Sequence, residues 1–361
     1  MNEKKLRKRD EIPQEYKWKL EDMYASDELW EDETKKVSVL AADIAKLDGH
    51  LSDDAGKLLD FFKKQDELTY YMGRIVVYSN ERSHEDTAVS KYQAYVSKAE
   101  SLSVEVASAL SFANPQILQI PKEELEQFYT DEPQLLHYKR AIDETMRRKE
   151  HTLSQAEENI LAQTGEMAAA PENIFSMFNN ADIKFPYITD VEGNKIRITH
   201  GNFIDFLSSK DRSLRKQVFR GVYDSYKKWS NTVSAMYISK LKNDVFYAKV
   251  RKYDSPRAMY LADGDISESV YDNLIGTVHA HLPALHRYMS VRKKLLGVEH
   301  LHMYDLFAPI VDNTQTSYTY GQAKELVAKA LAPMGEEYVS ILKKGMESGW
   351  IDVYENENKR S

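Results

Sequence analysis

The sequence predicts a mainly α-helical protein: a multi-helix array with one long helix of about 40 residues and a single small β-hairpin. Three observations carry that expectation. Residues 211–250 contain no proline and one glycine, and Leu214, Val218, Val222, Tyr226, Trp229, Val233, Tyr237, Leu241 and Val245 recur at helical spacing. At about 1.5 Å per residue such a helix would span roughly 60 Å. The first 180 residues repeat shorter apolar-periodic runs, punctuated by Pro115, Pro121 and Pro133. Between these regions Phe185, Tyr187, Ile196 and Ile198 alternate around the turn 190–194, the pattern of a hairpin.

Taken in order, Ser26 is a candidate N-cap followed by Asp27 and Glu28, which suit the positive end of a helix dipole. Trp30, Val37, Leu40, Ile44 and Leu47 would share one face of that helix, and Gly49 would stop it. A second run carries Leu58, Leu59, Phe61 and Phe62, a third Leu68, Tyr71, Ile75 and Tyr78, and a fourth spans 86–112. Ser154 precedes a helix over 155–167, and Pro171 occupies the first turn of another. Beyond the long helix, a run of about thirty residues carries Val270, Leu274, Val278, Leu285, Met289 and Leu296, and Pro283 within it should kink that helix. Residues 301–310 read as extended, 321–332 and 334–346 as helices, and 350–354 as an apolar strand without a later partner.

Composition narrows the function class. With 42% hydrophobic and 29% charged residues the chain can bury a sizeable core, and a net charge of -8 argues against a nucleic-acid surface. Lys4, Lys5, Arg7, Lys8 and Arg9 form a basic exception at the extreme N-terminus and read as a solvated, frayed tail. The absence of cysteine removes disulfides, thiolate metal sites and a cysteine nucleophile, and suits a cytoplasmic location. No apolar run reaches the length of a membrane span, so no membrane partner is expected.

Ordered blocks along the whole chain resemble the oligoendopeptidase F family, bacterial zinc metallopeptidases of the thimet-oligopeptidase-like M3 group. They include Glu11-Ile12-Pro13 with 16–22, His151-Thr152-Leu153-Ser154 with Glu157 and Glu158, 179–186, 199–202, 209–212, Asn243 with 246–251, 270–274 and 301–306. The resemblance implies part of a two-lobed peptidase with a deep cleft that cleaves short peptides inside the cell. It also implies an N-terminal helical region over 1–115, a helical region of the oligopeptidase F type over 116–182, and the start of the catalytic region over 183–361. Which residues bind substrate is not implied.

The family's chemistry, by resemblance, depends on His-Glu-x-x-His: two imidazoles one helical turn apart hold zinc, and the glutamate between them activates a water. The ten histidines are His50, His84, His137, His151, His200, His279, His281, His286, His300 and His302, and no two lie four apart. His279 and His286 would share a face but stand roughly 10 Å apart along the axis. His300 and His302 would project together on a strand, yet no third ligand accompanies them. A structural or cleft-wall role suits His302, Tyr304 and Asp305, and a turn leading into a helix suits Asp263-Gly264-Asp265. No catalytic residue and no metal ligand is therefore expected within these residues; zinc belongs to the full-length family protein. The chain reads as an N-terminal, cleft-forming part of a peptidase, inactive alone. The alternative is a non-catalytic helical peptide-binding or scaffold protein.

Overall fold

The computed structural model describes residues 3–4, 6–190, 192–311 and 318–360, with side chains from Leu6 onward. The chain is mainly helical and divides into two compact units, each visited more than once. The first comprises residues 1–19, 178–232 and 271–361, the second residues 20–177 and 233–270.

The second unit is built on three helices, α1 (Asp27–Ile44), α2 (Ala55–Glu85) and α3 (Ser90–Ala109). On α1, Trp30, Val37, Ala41 and Ile44 all face inward, the periodicity the sequence displays. Trp30 is fully buried; its indole stacks on Tyr95 at 4.2 Å and its Nε1 donates to the Ile75 carbonyl at 3.1 Å. The runs around Leu58 and Ile75, expected as two helices, form one 31-residue helix, the longest among the described residues, capped by Asp54 accepting from the Lys57 N–H. Shorter helices follow: α4 (Ala113–Ile117), α5 (Lys122–Asp131), α6 (Lys139–Arg147), α7 (Gln155–Gln163) and α8 (Gly165–Met177). The break between α7 and α8 falls at Thr164, whose hydroxyl bonds the Leu161 carbonyl and the Tyr247 hydroxyl, and Pro171 sits inside α8 rather than at its start.

The first unit holds the sheet, of strands β1 (Glu3–Lys4), β2 (Tyr187–Thr189) and β3 (Lys195–Arg197). β2 and β3 form the expected antiparallel hairpin, and β1 joins β3 in parallel. The basic N-terminus is therefore not a frayed tail. Arg9 pairs with the buried Asp352 at 2.5 Å and Arg7 lies over the Tyr354 ring; Lys5 falls outside the described residues. The 350–354 segment is not a strand, but neither is it unpartnered. Val353 N–H donates to the Tyr16 carbonyl and Glu357 N–H to the Arg7 carbonyl, while Lys19 N–H donates to the Gly349 carbonyl. Residues 7–19 and 349–357 thus lie side by side without a regular ladder.

The predicted 40-residue helix is two helices. After α9 (Phe203–Leu207), α10 (Arg212–Lys227) buries Leu214, Val218 and Val222, and α11 (Ser230–Val250) follows a break at Lys228 and Trp229. At the break the Trp229 N–H bonds the carbonyl of Tyr226, three residues back, while the Ser225 hydroxyl donates to the Gly221 carbonyl at 2.7 Å. A serine bonding back to its i−4 carbonyl loosens a helix locally. The Phe178 ring also meets Trp229 edge-on at 5.7 Å. Along α11 the expected stripe continues as Tyr237, Leu241 and Val245, but these side chains are exposed.

The remaining helices are α12 (Pro256–Asp263), α13 (Glu268–Leu295), α14 (Tyr320–Ala330) and α15 (Glu336–Glu347). α13 runs through Pro283 and buries one residue, Arg292; Leu274, Val278 and Leu285 are 59%, 51% and 48% exposed. No helix among the described residues is long and apolar enough to cross a membrane.

Candidate functional site

The residues singled out near His300 come together in the first unit. Residues 301–310 are not extended: Met303–Asp305 form a 3-10 turn, which ends the expectation that His300 and His302 project side by side from a strand. The turn is held by arginines from two helices. Asp211 caps α10 by accepting from the Ser213 and Leu214 N–H groups. That start places Arg212 and Arg215, three residues apart, on one face.

Both guanidiniums meet Asp305, whose side chain is wholly buried. Arg212 donates through Nε to Oδ1 at 3.1 Å and through a terminal nitrogen to Oδ2 at 3.0 Å. Arg215, itself 3% exposed, donates to Oδ1 at 2.8 Å, and the His302 backbone N–H donates to Oδ2 at 3.0 Å. Arg292 of α13 donates to the carbonyls of Asp305 and Ala308. Burial alone would raise the Asp305 pKa, but the hydrogen bonds from Arg212, Arg215 and the His302 N–H hold it down to about 2.

An ionised carboxylate offers about four lone-pair positions, and four donors occupy those of Asp305. It has no capacity left to bind a metal ion or take a proton at neutral pH. Its work is to fix the 302–308 turn against α10 and the end of α13. Tyr304 is also buried, with the His302 ring stacked on it at 4.9 Å and Arg212 over its face at 5.5 Å. His302 and Met303 are presented outward by this framework.

The other histidines do not converge. His279 and His286 lie on the exposed length of α13, His281 bonds the Thr277 carbonyl within its own helix, and His300 meets Glu299 at 3.5 Å. Among the described residues no three His, Cys, Asp or Glu side chains are placed to share a metal ion. The described residues therefore do not fit a catalytic zinc. Asp263-Gly264-Asp265 forms the turn closing α12, with Asp265 at φ 53°. Arg215 and Arg292 escaped sequence reasoning; for Arg215 the available signal was a charged residue beside Leu214 and Val218 in an otherwise inward face.

Known proteins share much of this chain's sequence and fold. A family profile described as "Oligopeptidase F" matches residues 116–185 and one described as "Peptidase family M3" matches residues 206–361. Oligopeptidase PepF of Bacillus subtilis is 43% identical over 353 residues, which is 98% of this chain and 53% of that protein. Group B oligopeptidase PepB of Streptococcus agalactiae is 34% identical, over 98% of this chain and 59% of that protein. The crystal structure of oligoendopeptidase-F from Enterococcus faecium superposes with a TM-score of 0.78 at 35% identity, covering 89% of this chain and 60% of that one. A structure described as PZ peptidase A with an inhibitor shares the fold, with a TM-score of 0.67 at 15% identity, over 98% of this chain and 58% of that one. The chain thus spans between about half and three-fifths of the length of these relatives.

Proposed function

The chain belongs to peptidase family M3, in its oligopeptidase F branch, and from that membership we propose that it is the N-terminal, cleft-forming portion of a cytoplasmic zinc metalloendopeptidase acting on short peptides. Residues 1–115 are its N-terminal helical region, 116–182 the region of oligopeptidase F type, and residues from 183 onward the beginning of the catalytic region. The zinc ligands and the glutamate that activates water lie outside these 361 residues, so the chain alone hydrolyses nothing.

One observation carries this reading: two profiles of one family follow each other in order along a chain that spans little more than half of its relatives. The exposed apolar side chains of α13 support it as well, because a contiguous apolar face on a helix in water marks a surface made for another surface. In this reading the rest of the M3 fold covers α13, whose C-terminal end is tied to the Asp305 turn through Arg292.

The test is reconstitution. The 361-residue chain is co-expressed with the part of Bacillus subtilis PepF that it does not align with, and the purified material is assayed for zinc. The expected result is a co-purifying pair that holds zinc while the chain alone holds none. Stoichiometric zinc on the chain alone would contradict the proposal.

A further inference from the structure

The second unit contains a cavity of about 530 Å³ that takes no part in the site described above. Its size falls in the range of small-molecule pockets. It is framed by the end of α6, the turn before α7, the residues after α11, and α12.

The charges in its wall are unequally satisfied. Arg251 and Glu158 form a two-pronged pair, each bond 2.9 Å, and Glu158 also accepts from the Leu153 N–H, so both are engaged. His151 is fixed beside them, with Nδ1 on the Arg251 carbonyl at 2.8 Å and its ring stacked on Tyr253 at 3.6 Å. Those two rings make a flat, rigid wall. Arg148 differs: its Nε is shielded from solvent and makes no hydrogen bond among the described residues, while its side chain as a whole is 43% exposed and meets the 68% exposed Asp263 at 3.7 Å. That N–H lies out of a ligand's reach, so an anion in the cavity would meet the solvent-facing terminal nitrogens of the guanidinium. On the acidic side, Glu144 is engaged through Oε2 by Arg147 and also lies in the field of Arg148 and Arg140, and Asp263 meets Arg148 only at that longer distance.

One cavity therefore carries a solvent-facing cation, Arg148, with the solvent-facing carboxylate of Asp263 3.7 Å away and Glu144 also in its wall, beside a flat ring wall and the apolar Met259. A simple anion would satisfy Arg148 but would meet Glu144 and Asp263 as like charges. A molecule with a carboxylate at one end and an ammonium at the other satisfies both. We propose that this cavity binds an amino acid or dipeptide, its carboxylate on Arg148 and its ammonium beside Asp263 and Glu144. No bond is made or broken; the site binds only. It rests on the cavity alone and does not require the peptidase reading.

The probe is alanylalanine, titrated into the 361-residue chain by calorimetry, alongside its N-acetyl form, its amide and inorganic phosphate. Free dipeptide is expected to bind at least about tenfold more tightly than either blocked form, and phosphate no better than those. Arg148→Gln should abolish the preference for a free carboxylate, and Asp263→Asn should narrow the preference for a free amino group. Ala141→Leu fills the cavity without touching a charge and should remove binding, with helical circular dichroism reporting that the variants remain folded. Absence of dipeptide binding at millimolar concentration, equal binding of all four probes, or unchanged binding by Arg148→Gln would each overturn the proposal.

Discussion

Helices α1 and α13 look alike as sequences and end in opposite surroundings. Both repeat apolar residues at helical spacing. On α1 the repeat becomes a core: Trp30, Val37 and Ile44 are fully buried against α2 and α3. On α13 the same kind of repeat faces solvent at Leu274, Val278 and Leu285. Periodicity thus specifies a helix and a face, but the partner of that face is a separate fact. α11 repeats the lesson within one predicted stripe: Val218 is buried before the break at Trp229, and Tyr237 and Val245 are exposed after it.

The contrast can be broken most sharply by truncation. Trp30→Ala removes a buried indole together with its bond to the Ile75 carbonyl, and is expected to cost roughly 3–5 kcal/mol in urea unfolding. Leu274→Ala on α13 should cost less than about 0.5 kcal/mol in the isolated chain. A large loss at Leu274 would mean that its face is already covered, and the comparison would fail.

The Asp305 network comes next in size. Arg215→Ala strips a partner from a buried charge and should cost roughly 3 kcal/mol or more. Arg212→Ala, at a half-exposed position, should cost clearly less, because Arg215 and the His302 N–H remain on the carboxylate. Equal effects in denaturant unfolding would contradict the assignment of Arg215 as the buried member.

The network also has a pH signature. The folded pKa of Asp305 lies below its unfolded value near 3.8, so the stability it confers is complete above about pH 5 and is lost as pH falls toward 2. A shift from 3.8 to about 2 corresponds to at most roughly 2 kcal/mol, because solvent screens the half-exposed Arg212. Unfolding curves at about pH 6 and about pH 2.5 should therefore differ less for Asp305→Asn than for the native sequence, by up to that amount. A difference of the same size in both proteins would remove Asp305 as the titrating group.

The smallest expected effect tests the exposed face itself. Val278→Asp combined with Leu285→Ser should leave stability within about 0.5 kcal/mol while lowering binding of an apolar fluorescent dye, since both side chains stand in solvent. Unchanged dye binding would show that α13 is not the surface responsible.

Much of the helical order was legible in the sequence because it is local. The Ser26 start of α1, the hairpin around Gly193 and the inward face of α10 all follow from residues within one or two turns. The split at Trp229 was not, because no proline or glycine marks it and the bond from Ser225 back to Gly221 becomes visible only in three dimensions. His302, Tyr304 and Asp305 could be picked out as a group, but not their roles. Those are set by Arg212 and Arg215, 93 and 90 positions away from Asp305, and pairings at that separation leave no periodic trace. The segment 350–354 misled for a related reason. Its partner lies at the other end of the chain, around Tyr16, and binds it by single hydrogen bonds rather than a ladder.

The proposed division of labour, with the cleft-forming part here and the zinc elsewhere, is tested most directly by hydrolysis of a quenched fluorescent peptide by the purified 361-residue chain, with and without 1,10-phenanthroline. No turnover is expected from the chain alone, and chelator-sensitive turnover is expected once the missing part of a relative such as PepF is supplied. Chelator-sensitive turnover by the chain alone would contradict that division.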